Sequence, residues 1–295
     1  MKKSLIALLT ASAVTLAGCG SSENLEGSSD PDAIVVGSQD YYSNEIVAEA
    51  YAQALEDAGY TVDRQFRIGQ REVYMSEVES GNVDVFPEYT GPLLQYWVKD
   101  APQRSSEDVY AALSDAAPEG LKILDQAGAT DQDAYAVTKE FAEKYNLTTG
   151  EDLKNVTEPL TLGANSEAEN RPNGPKGLKK AYDVDAGFTP IEDSGGPLTV
   201  KALKDGQINI AIVYTADPSI EANGLKVLED NKELFLASHL VPVANKDLDE
   251  GAQGVVNKVS DALTMDALLE MNARSVNDHV PAETIAKEWV ETLDL

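Results

Sequence analysis

Two segments of this chain share one pattern, and that repeat constrains the fold more than any other feature. Each segment begins with a glycine, continues as a short apolar run and ends in a Tyr-Thr pair, with eight positions from Gly81 to Tyr89 and eight from Gly206 to Tyr214. A short apolar run closed by a turn signal is typical of a buried strand. Because open α/β sheets bind ligands beyond the carboxyl ends of their strands, we predict that the two tyrosines face each other across a cleft.

The elements that precede these two strands repeat as well. Beginning with the strands that contain Gly37 and Gly163, the chain reads as strand, helix, strand, helix and strand, and these glycines lie 52 and 51 positions before the two tyrosines. Alternating strands and helices predict a largely parallel sheet covered by helices. The length of 295 residues exceeds what one core usually supports, so we predict an α/β fold with two lobes.

The predicted domain organisation follows from the places where this pattern changes. Residues 1–18 read as a signal peptide, because two lysines precede an apolar run, and residues 19–32 read as a flexible tether rich in Ser, Gly and acidic residues. Lobe 1 is predicted to comprise residues 33–131 and 242–295, with the amphipathic C-terminal helices packed on it, and lobe 2 to comprise residues 132–241. The chain then crosses between the lobes twice.

The chain has a single cysteine, Cys19, which directly follows Leu16-Ala17-Gly18. This ending resembles a bacterial lipobox, in which the cysteine carries the lipid and becomes the first mature residue. A free reactive thiol is the alternative for a lone exported cysteine, but the small residues before it favour the anchor. No later apolar run is long enough to span a bilayer, so we predict an extracytoplasmic protein tethered to the cell membrane, and we expect a monomer.

Charge and residue content exclude several classes of function. The chain has 23 Lys and Arg against 51 Asp and Glu, and because nucleic-acid affinity depends on basic residues we predict no nucleic-acid partner. Two histidines and one cysteine are too few for a His-rich metal site or a cysteine nucleophile. We predict no cofactor, no metal and no enzymatic activity. A lipid-anchored hydrolase that uses Ser or carboxylate side chains is the competing class.

Aromatic side chains gather near the predicted strand ends. Tyr89, Tyr135 and Tyr214 each stand near the end of a strand, and Tyr41 and Tyr42 follow the first strand. Grouped rings suit a quaternary ammonium, because the ring quadrupole attracts a cation that can donate no hydrogen bond. Core packing with a satisfied hydroxyl is the alternative for any one tyrosine. We predict an aromatic cage for such a cation.

A carboxylate on the ligand would need a cationic donor, and Arg171 is the candidate. It lies in the run Glu169-Asn170-Arg171-Pro172-Asn173-Gly174, which follows the strand predicted from Leu160 to Gly163. A guanidinium donates two parallel hydrogen bonds to a carboxylate. A surface salt bridge is the alternative in so acidic a chain.

With these residues in view, the chain resembles the substrate-binding lipoproteins of ABC importers for osmoprotectants such as glycine betaine, choline and carnitine. The most specific match is the run Val83-Asp84-Val85-Phe86-Pro87-Glu88-Tyr89-Thr90-Gly91, which is similar to a signature of that family. The resemblance implies a two-lobed periplasmic-binding-protein-like fold of type II that closes on its ligand like a hinge. It also implies that Tyr89, Tyr135 and Tyr214 cage the ammonium and that Arg171 binds the carboxylate.

Three departures from the family's pattern leave the exact ligand open. Gln39 stands where members that bind glycine betaine often carry Lys, Pro92 stands where they carry a hydroxyl residue, and Ser238 and His239 replace an aromatic pair. His239 or Tyr42 is then the candidate to complete the cage. The predicted ligand-binding residues are Gln39, Tyr42, Tyr89, Thr90, Tyr135, Arg171, Tyr214 and His239.

The predicted function is that of the extracytoplasmic solute-binding component of an ABC importer. It captures a quaternary-ammonium compound, which is glycine betaine, choline, carnitine or a related betaine, and delivers it to the permease. One alternative is a receptor of the same fold for a different zwitterion such as ergothioneine. Another is a lipoprotein that presents its ligand to a sensor.

Overall fold

The computed structural model describes residue 30, residues 32–293 and residue 295. The predicted signal peptide, Cys19 and nearly all of the predicted tether lie outside the described residues. Among the residues that are described, no helix has the length and apolar character needed to cross a membrane. The chain from residue 32 onward forms two α/β lobes, each built on a five-stranded sheet.

Strands and helices alternate along much of the chain. The strands are β1 (Ile34–Gly37), β2 (Val62–Gln65), β3 (Val85–Tyr89), β4 (Leu121–Ile123), β5 (Asp133–Thr138), β6 (Leu160–Ala164), β7 (Ala186–Pro190), β8 (Ile210–Tyr214), β9 (Leu225–Val227) and β10 (Leu240–Asn245). The helices are α1 (Tyr42–Asp57), α2 (Arg71–Glu79), α3 (Thr90–Trp97), α4 (Ser106–Ala116), α5 (Lys139–Tyr145), α6 (Pro175–Tyr182), α7 (Pro197–Lys204), α8 (Ser219–Ala222), α9 (Glu250–Ala262), α10 (Met265–Asp278) and α11 (Ala282–Val290). Two short 3-10 helices span Gly150–Asn155 and Ser166–Glu169.

The sheet of lobe 1 has the strand order β2-β1-β3-β10-β4. β1 pairs in parallel with β2 and β3, and β10 runs antiparallel between β3 and β4. Every residue of β1 and β3 is buried, as expected for strands covered on both faces by helices. One hydrophobic cluster joins this sheet to α1 and the three C-terminal helices, and a second joins it to α2, α3 and α4. The amphipathic C-terminal helices therefore pack on lobe 1, as their pattern predicts.

The sheet of lobe 2 repeats this topology with the strand order β7-β6-β8-β5-β9. β6 pairs in parallel with β7 and β8, and β5 runs antiparallel between β8 and β9. β3 and β8 are therefore corresponding strands of the two lobes. Tyr89 and Tyr214 are the last residues of these two strands.

Local sequence signals explain where several helices begin. The Ser105 hydroxyl accepts a hydrogen bond from the backbone N–H of Asp108 at the start of α4, and Thr264 caps α10 in the same way. These caps satisfy backbone donors that the first turn of a helix leaves without a partner. α6 and α7 instead begin with Pro175 and Pro197, whose fixed backbone angle suits the first helical position.

The two segments that connect the lobes lie side by side. The backbone N–H of Asp131 donates to the carbonyl oxygen of Ser238 at 3.2 Å, and the Ser238 hydroxyl donates to the Asp131 carbonyl oxygen at 2.8 Å. β10 begins at Leu240, so Leu240 and Val241 pair within the sheet of lobe 1, just before the predicted boundary at residue 242. The domain boundaries themselves stay a prediction.

Candidate ligand-binding site

A small cavity lies between the lobes, where β3 and β8 end. Its volume is about 20 Å³, and side chains of both lobes form its wall. A space of this size holds about one water molecule. The lining residues are Gln39, Tyr41, Arg71, Tyr89, Pro92, Asp131, Asp133, Arg171 and Tyr214.

Three tyrosine rings form the aromatic part of the wall. Tyr89 from lobe 1 and Tyr214 from lobe 2 both line the cavity. Tyr41, the residue before α1, joins them, and its ring centroid lies 4.6 Å from that of Tyr214 at an interplanar angle of 53°. Burial raises the pKa of all three hydroxyls. The rings are therefore neutral at physiological pH, and their faces carry the partial negative charge that attracts cations.

The run from Glu88 to Gly91 positions the lobe 1 side of the cavity, and its residues make different contacts. Tyr89 lines the cavity, and the hydroxyl of the next residue, Thr90, donates to the carbonyl oxygen of Ala237 at 3.0 Å. Gly91 leaves room for the same connecting segment, because a Cβ there would lie only 2.7 Å from the Ala237 carbonyl oxygen. This run thus fixes the returning segment against the start of α3.

A buried ion pair lies behind Tyr89. Arg71 donates from Nε and Nη2 to the two carboxylate oxygens of Glu88, at 2.6 and 2.9 Å. The side chains of Arg71 and Glu88 are only 8% and 0% exposed. Glu88 also accepts hydrogen bonds from the Tyr74 hydroxyl and from the backbone N–H of Tyr89, both at 2.7 Å. Burial lowers the pKa of Arg71, but the Glu88 carboxylate outweighs that effect and the net pKa is raised, so the guanidinium on the cavity wall is always charged.

Asp131 places a carboxyl group at the cavity from the segment that leads into lobe 2. Its Oδ2 accepts from the Tyr41 hydroxyl at 3.1 Å, and its Oδ1 accepts from the backbone N–H of Ala216 at 2.8 Å. The residue is 4% exposed. Burial raises the pKa of this carboxyl group to about 7, although both hydrogen bonds oppose the shift.

Asp133 adds a second carboxyl group to the same wall. Its Oδ2 accepts from the side-chain amide of Asn173 at 2.7 Å. Burial raises the pKa of Asp133, while the charges of Arg171 and Arg71 oppose this shift. Asp133 is the first residue of β5 and pairs directly with Tyr214 of the neighbouring strand β8. The cavity wall therefore combines tyrosine faces with two carboxyl groups.

Arg171 joins the lobes at the edge of the cavity. Its Nε and Nη2 donate to the carboxylate of Glu72 in lobe 1 at 3.0 and 2.6 Å, and Nη2 also reaches the Gln70 side chain at 3.3 Å. Burial raises the pKa of Glu72, but the guanidinium outweighs that effect and lowers it overall. The Gln70 amide in turn donates to the hydroxyl of Ser194 in lobe 2 at 3.3 Å. These contacts hold the two lobes together over the cavity.

The structure does not bring Tyr135 to the cavity. This residue is 1% exposed, its ring packs in the core of lobe 2 at 5.0 Å from the Phe235 ring, and its hydroxyl donates to the carbonyl oxygen of Asn173 at 2.6 Å. Tyr135 is therefore not part of this cavity's wall, and its predicted role in the cage stays a prediction. The side chain lies inside the lobe because its strand, β5, packs that residue into the hydrophobic cluster of lobe 2.

Tyr42, Thr90 and His239 also lie outside the lining of this cavity as the described residues form it. The Tyr42 ring packs edge-on against Tyr41 at 5.0 Å. Thr90 holds the connecting segment, since its hydroxyl oxygen also accepts from the backbone N–H of His239 at 3.1 Å. The His239 ring nitrogen Nδ1 lies 2.9 Å from the carbonyl oxygen of Ala127. The side chains of Thr90 and His239 thus support the connection between the lobes.

Five lining residues are absent from the ligand-binding residues predicted from the sequence, namely Tyr41, Arg71, Pro92, Asp131 and Asp133. Tyr41 follows the carboxyl end of β1, so the rule that predicted Tyr89 also applies to it. Asp131 and Asp133 lie at the start of β5, and they reach the same edge because β5 runs antiparallel to β8. Arg71 begins α2, and its contact with Glu88 depends on a strand-to-helix approach that the sequence does not reveal. Among the described residues, no group of three or more His, Cys, Asp or Glu side chains is arranged to hold a metal ion.

A known protein family and several individual proteins resemble this chain over most of its length. Residues 32–292 match the family model described as the substrate-binding domain of ABC-type glycine betaine transport systems. The carnitine transport binding protein OpuCC of Listeria monocytogenes is 27% identical, over 99% of this chain and 97% of that protein. The ergothioneine transport permease/ergothioneine binding protein EgtU of Helicobacter pylori is 24% identical, over 89% of this chain and 48% of that protein.

Solved structures share the same architecture. A crystal structure described as a glycine betaine/carnitine/choline ABC transporter superposes with a TM-score of 0.68 at 23% sequence identity, covering 88% of this chain and 97% of that one. At that identity the likeness concerns the fold, and it agrees with the predicted two-lobed α/β architecture.

Proposed function

The chain belongs to the family of substrate-binding domains of ABC-type glycine betaine transport systems, and from this premise we propose that it captures a small quaternary-ammonium compound in the cavity between its lobes. It then delivers that compound to the transmembrane permease of an ABC importer. In this role the protein binds its ligand without changing it chemically, so it is a receptor and not an enzyme.

One observation carries the choice of ligand class. Three neutral tyrosine rings and two carboxyl groups line one cavity, and two of the rings, Tyr89 and Tyr214, end corresponding strands. Each ring face gives about 1–2 kcal/mol to a desolvated cation. Three faces then supply much of the roughly 8 kcal/mol that micromolar affinity requires, before the costs of ordering are subtracted. Tyr41 takes the place in this cage that the sequence had given to Tyr135, beside Tyr89 and Tyr214.

Calorimetric titration tests this proposal. We expect saturable binding of at least one of glycine betaine, choline, carnitine and ergothioneine, with competition between any two that bind. Ergothioneine belongs in the panel because a relative that is named for this ligand matches most of this chain. Absence of heat with all four compounds would contradict the proposed ligand class.

The lobes must move apart to admit a ligand. A trimethylammonium group is much larger than the space of about 20 Å³ in this structure. Entry therefore requires the interlobe contacts of Arg171 and Ser194 to break, and capture ends when they form again. We propose that Arg171 closes the lobes over the ligand while Gln39 completes the polar wall.

Substitution of Glu72 by Gln tests this closing contact. Glu72→Gln removes the charge that holds Arg171 across the lobes, so the closed state loses stability relative to the open one. We expect ligand affinity to fall about three- to tenfold, because binding requires the closed state. Calorimetry measures the affinity, and small-angle X-ray scattering of the bound protein reports the change in shape.

A second interlobe ion pair provides the control. Lys180 in lobe 2 contacts Asp100 in lobe 1 at 3.1 Å, but these side chains are 80% and 86% exposed. Exposed pairs contribute little, so Asp100→Asn should leave affinity within about twofold of the original. Equal losses in the Glu72→Gln and Asp100→Asn variants would show that the buried position of Arg171 has no special role in closure.

The proposed location follows from the amino terminus. We propose that Cys19 carries a lipid that tethers the protein to the outer side of the cell membrane, where it meets the permease as a monomer. Its support is the apolar run followed by Leu16-Ala17-Gly18-Cys19. Metabolic labelling with a radioactive fatty acid should label the original protein, and Cys19→Ala should abolish the label. Labelling that survives in the variant would refute the anchor.

A further inference from the structure

The charges around the cavity are not balanced in the way a compact zwitterion requires. Both guanidiniums on the wall already bind carboxylates through Nε and Nη2, Arg71 with Glu88 and Arg171 with Glu72. The two carboxyl groups on the wall, Asp131 and Asp133, have no such partner of opposite charge within hydrogen-bonding distance among the described residues, since their hydrogen bonds come from a hydroxyl, a backbone N–H and an amide. The wall therefore has more capacity for a cation than for an anion.

Asp131 is the better fixed of these two carboxyl groups. It is 4% exposed, and each of its oxygens accepts one hydrogen bond, one from the backbone of lobe 2 and one from the hydroxyl of the Tyr41 cage ring. Its backbone is joined to Ser238 of the other connecting segment in both directions. The carboxyl group is therefore held in one place, next to the ring that would contact the cation.

From this arrangement we propose that Asp131 is the counter-ion that sets the specificity of the cavity, favouring a quaternary ammonium that carries a hydroxyl over one that carries a carboxylate beside the nitrogen. This inference rests on the proposed function. In choline, the positive nitrogen faces the Asp131 carboxylate and the hydroxyl is free to donate a hydrogen bond. In glycine betaine, a single carbon separates the ligand carboxylate from the nitrogen, so like charges approach each other in a space with little water.

The same contact couples binding to a proton. Burial holds the Asp131 carboxyl group partly protonated near neutral pH, and an entering cation favours the ionised form. The O–H bond of the carboxylic acid then breaks, the proton passes to a buffer base, and the carboxylate remains beside the cation. Choline affinity should consequently rise with pH up to and slightly above about pH 7 and level off at higher pH. The titratable and charged groups that face Asp131 or share its cavity are Tyr41, Tyr42, Arg71, Tyr89, Asp133, Arg171, Tyr214, Asp217 and His239.

The test compares choline chloride and glycine betaine by calorimetry, each in two buffers of different ionisation enthalpy, from about pH 5.5 to about pH 8.5. For the original protein we expect proton release on choline binding below about pH 7 and almost none at the highest pH. In Asp131→Asn, choline affinity at the highest pH should fall at least tenfold and the proton release should disappear. Glycine betaine affinity should be unchanged or increased in that variant, so the ratio of the two affinities also falls at least tenfold.

Asp217→Asn is the matched control. This neighbouring acid influences Asp131 through space but does not line the cavity, and its Oδ1 accepts from the backbone N–H of Ser219. Choline affinity at the highest pH should stay close to its original value in this variant. Proton release should persist, but over a somewhat lower pH range, because loss of the Asp217 charge lowers the pKa of Asp131. A melting curve of each variant separates lost binding from lost folding, and the proton release of the original protein tests the proposal without any variant.

The outcomes separate this inference from the proposed function. Choline binding that shows no pH dependence and no buffer-dependent heat would overturn the role of Asp131 while leaving the receptor function intact. Proton release that persists in a folded Asp131→Asn protein would also overturn the role of Asp131, because another group would then supply the proton. The receptor function would again remain intact. If calorimetry detects no binding of glycine betaine, choline, carnitine or ergothioneine, the proposed function fails and this inference fails with it.

Discussion

Replacement of Glu88 by Gln should lower the free energy of unfolding by about 3–5 kcal/mol, because it leaves the buried Arg71 guanidinium without a compensating charge. Glu88 is fully buried and binds both Nε and Nη2 of Arg71. Gln keeps only one of the two acceptor oxygens, so either the Tyr74 hydroxyl or the backbone N–H of Tyr89 also loses its acceptor. Urea unfolding followed by tryptophan fluorescence measures the change.

Two variants show whether the buried charge is the cause. Asp205→Asn removes an exposed partner of Lys201 on α7, and its cost should stay below about 1 kcal/mol. Joint replacement of Arg71 by Met and Glu88 by Leu removes both charges and should recover part of the stability lost in Glu88→Gln, although the Tyr74 hydroxyl and the Tyr89 N–H then lose their acceptor. A loss of less than about 1 kcal/mol in Glu88→Gln would mean that water reaches the guanidinium and that the pair is not truly buried.

Replacement of Tyr214 by Ala should weaken binding of a quaternary-ammonium ligand about tenfold, since one ring face contributes about 1–2 kcal/mol to a desolvated cation. The ring lines the cavity and packs on Tyr41. Tyr214→Phe keeps the ring and removes only the hydroxyl, so its affinity should stay within about threefold of the original. Calorimetric titration of each variant with choline or carnitine gives the comparison.

Tyr145 serves as the matched control for Tyr214. It is also a half-buried tyrosine of lobe 2, but it packs on Phe141 at 5.0 Å and does not line the cavity. Tyr145→Ala should leave ligand affinity unchanged. The melting temperature of Tyr214→Ala should remain close to that of the original protein. A large drop in that temperature would assign Tyr214 to the packing of the lobe instead of the ligand.

The sequence predicted those parts of the fold and the site that depend on local signals. The apolar runs that end at Tyr89 and Tyr214 are short and bounded by turn residues, so both strands and their shared opening were predictable. The duplicated topology followed from the repeated spacing, and the two sheets confirm it. Arg171 lines the same cavity, and its role in binding a ligand carboxylate stays a prediction.

The parts that the sequence did not reveal depend on contacts between distant segments. Tyr135 is the third residue of β5, whereas Tyr214 is the last residue of β8. The Tyr135 ring packs against Tyr182 and Phe235, which come much later in the chain. Pairing of Arg171 with Glu72 joins residues of different lobes. Asp131 was indistinguishable from the many other acids of so acidic a chain until its burial beside Tyr41 was visible.

The late arrival of β10 affects how lobe 1 can be built during synthesis. This strand lies between β3 and β4, yet it is translated only after all of lobe 2. A nascent chain that has not reached residue 240 therefore carries β3 with one open edge, whose unpaired N–H and C=O groups invite pairing with other chains. The sheet of lobe 2 is built from the consecutive strands β5 to β9 and needs no later segment. Lobe 1 is therefore translated first but completed last.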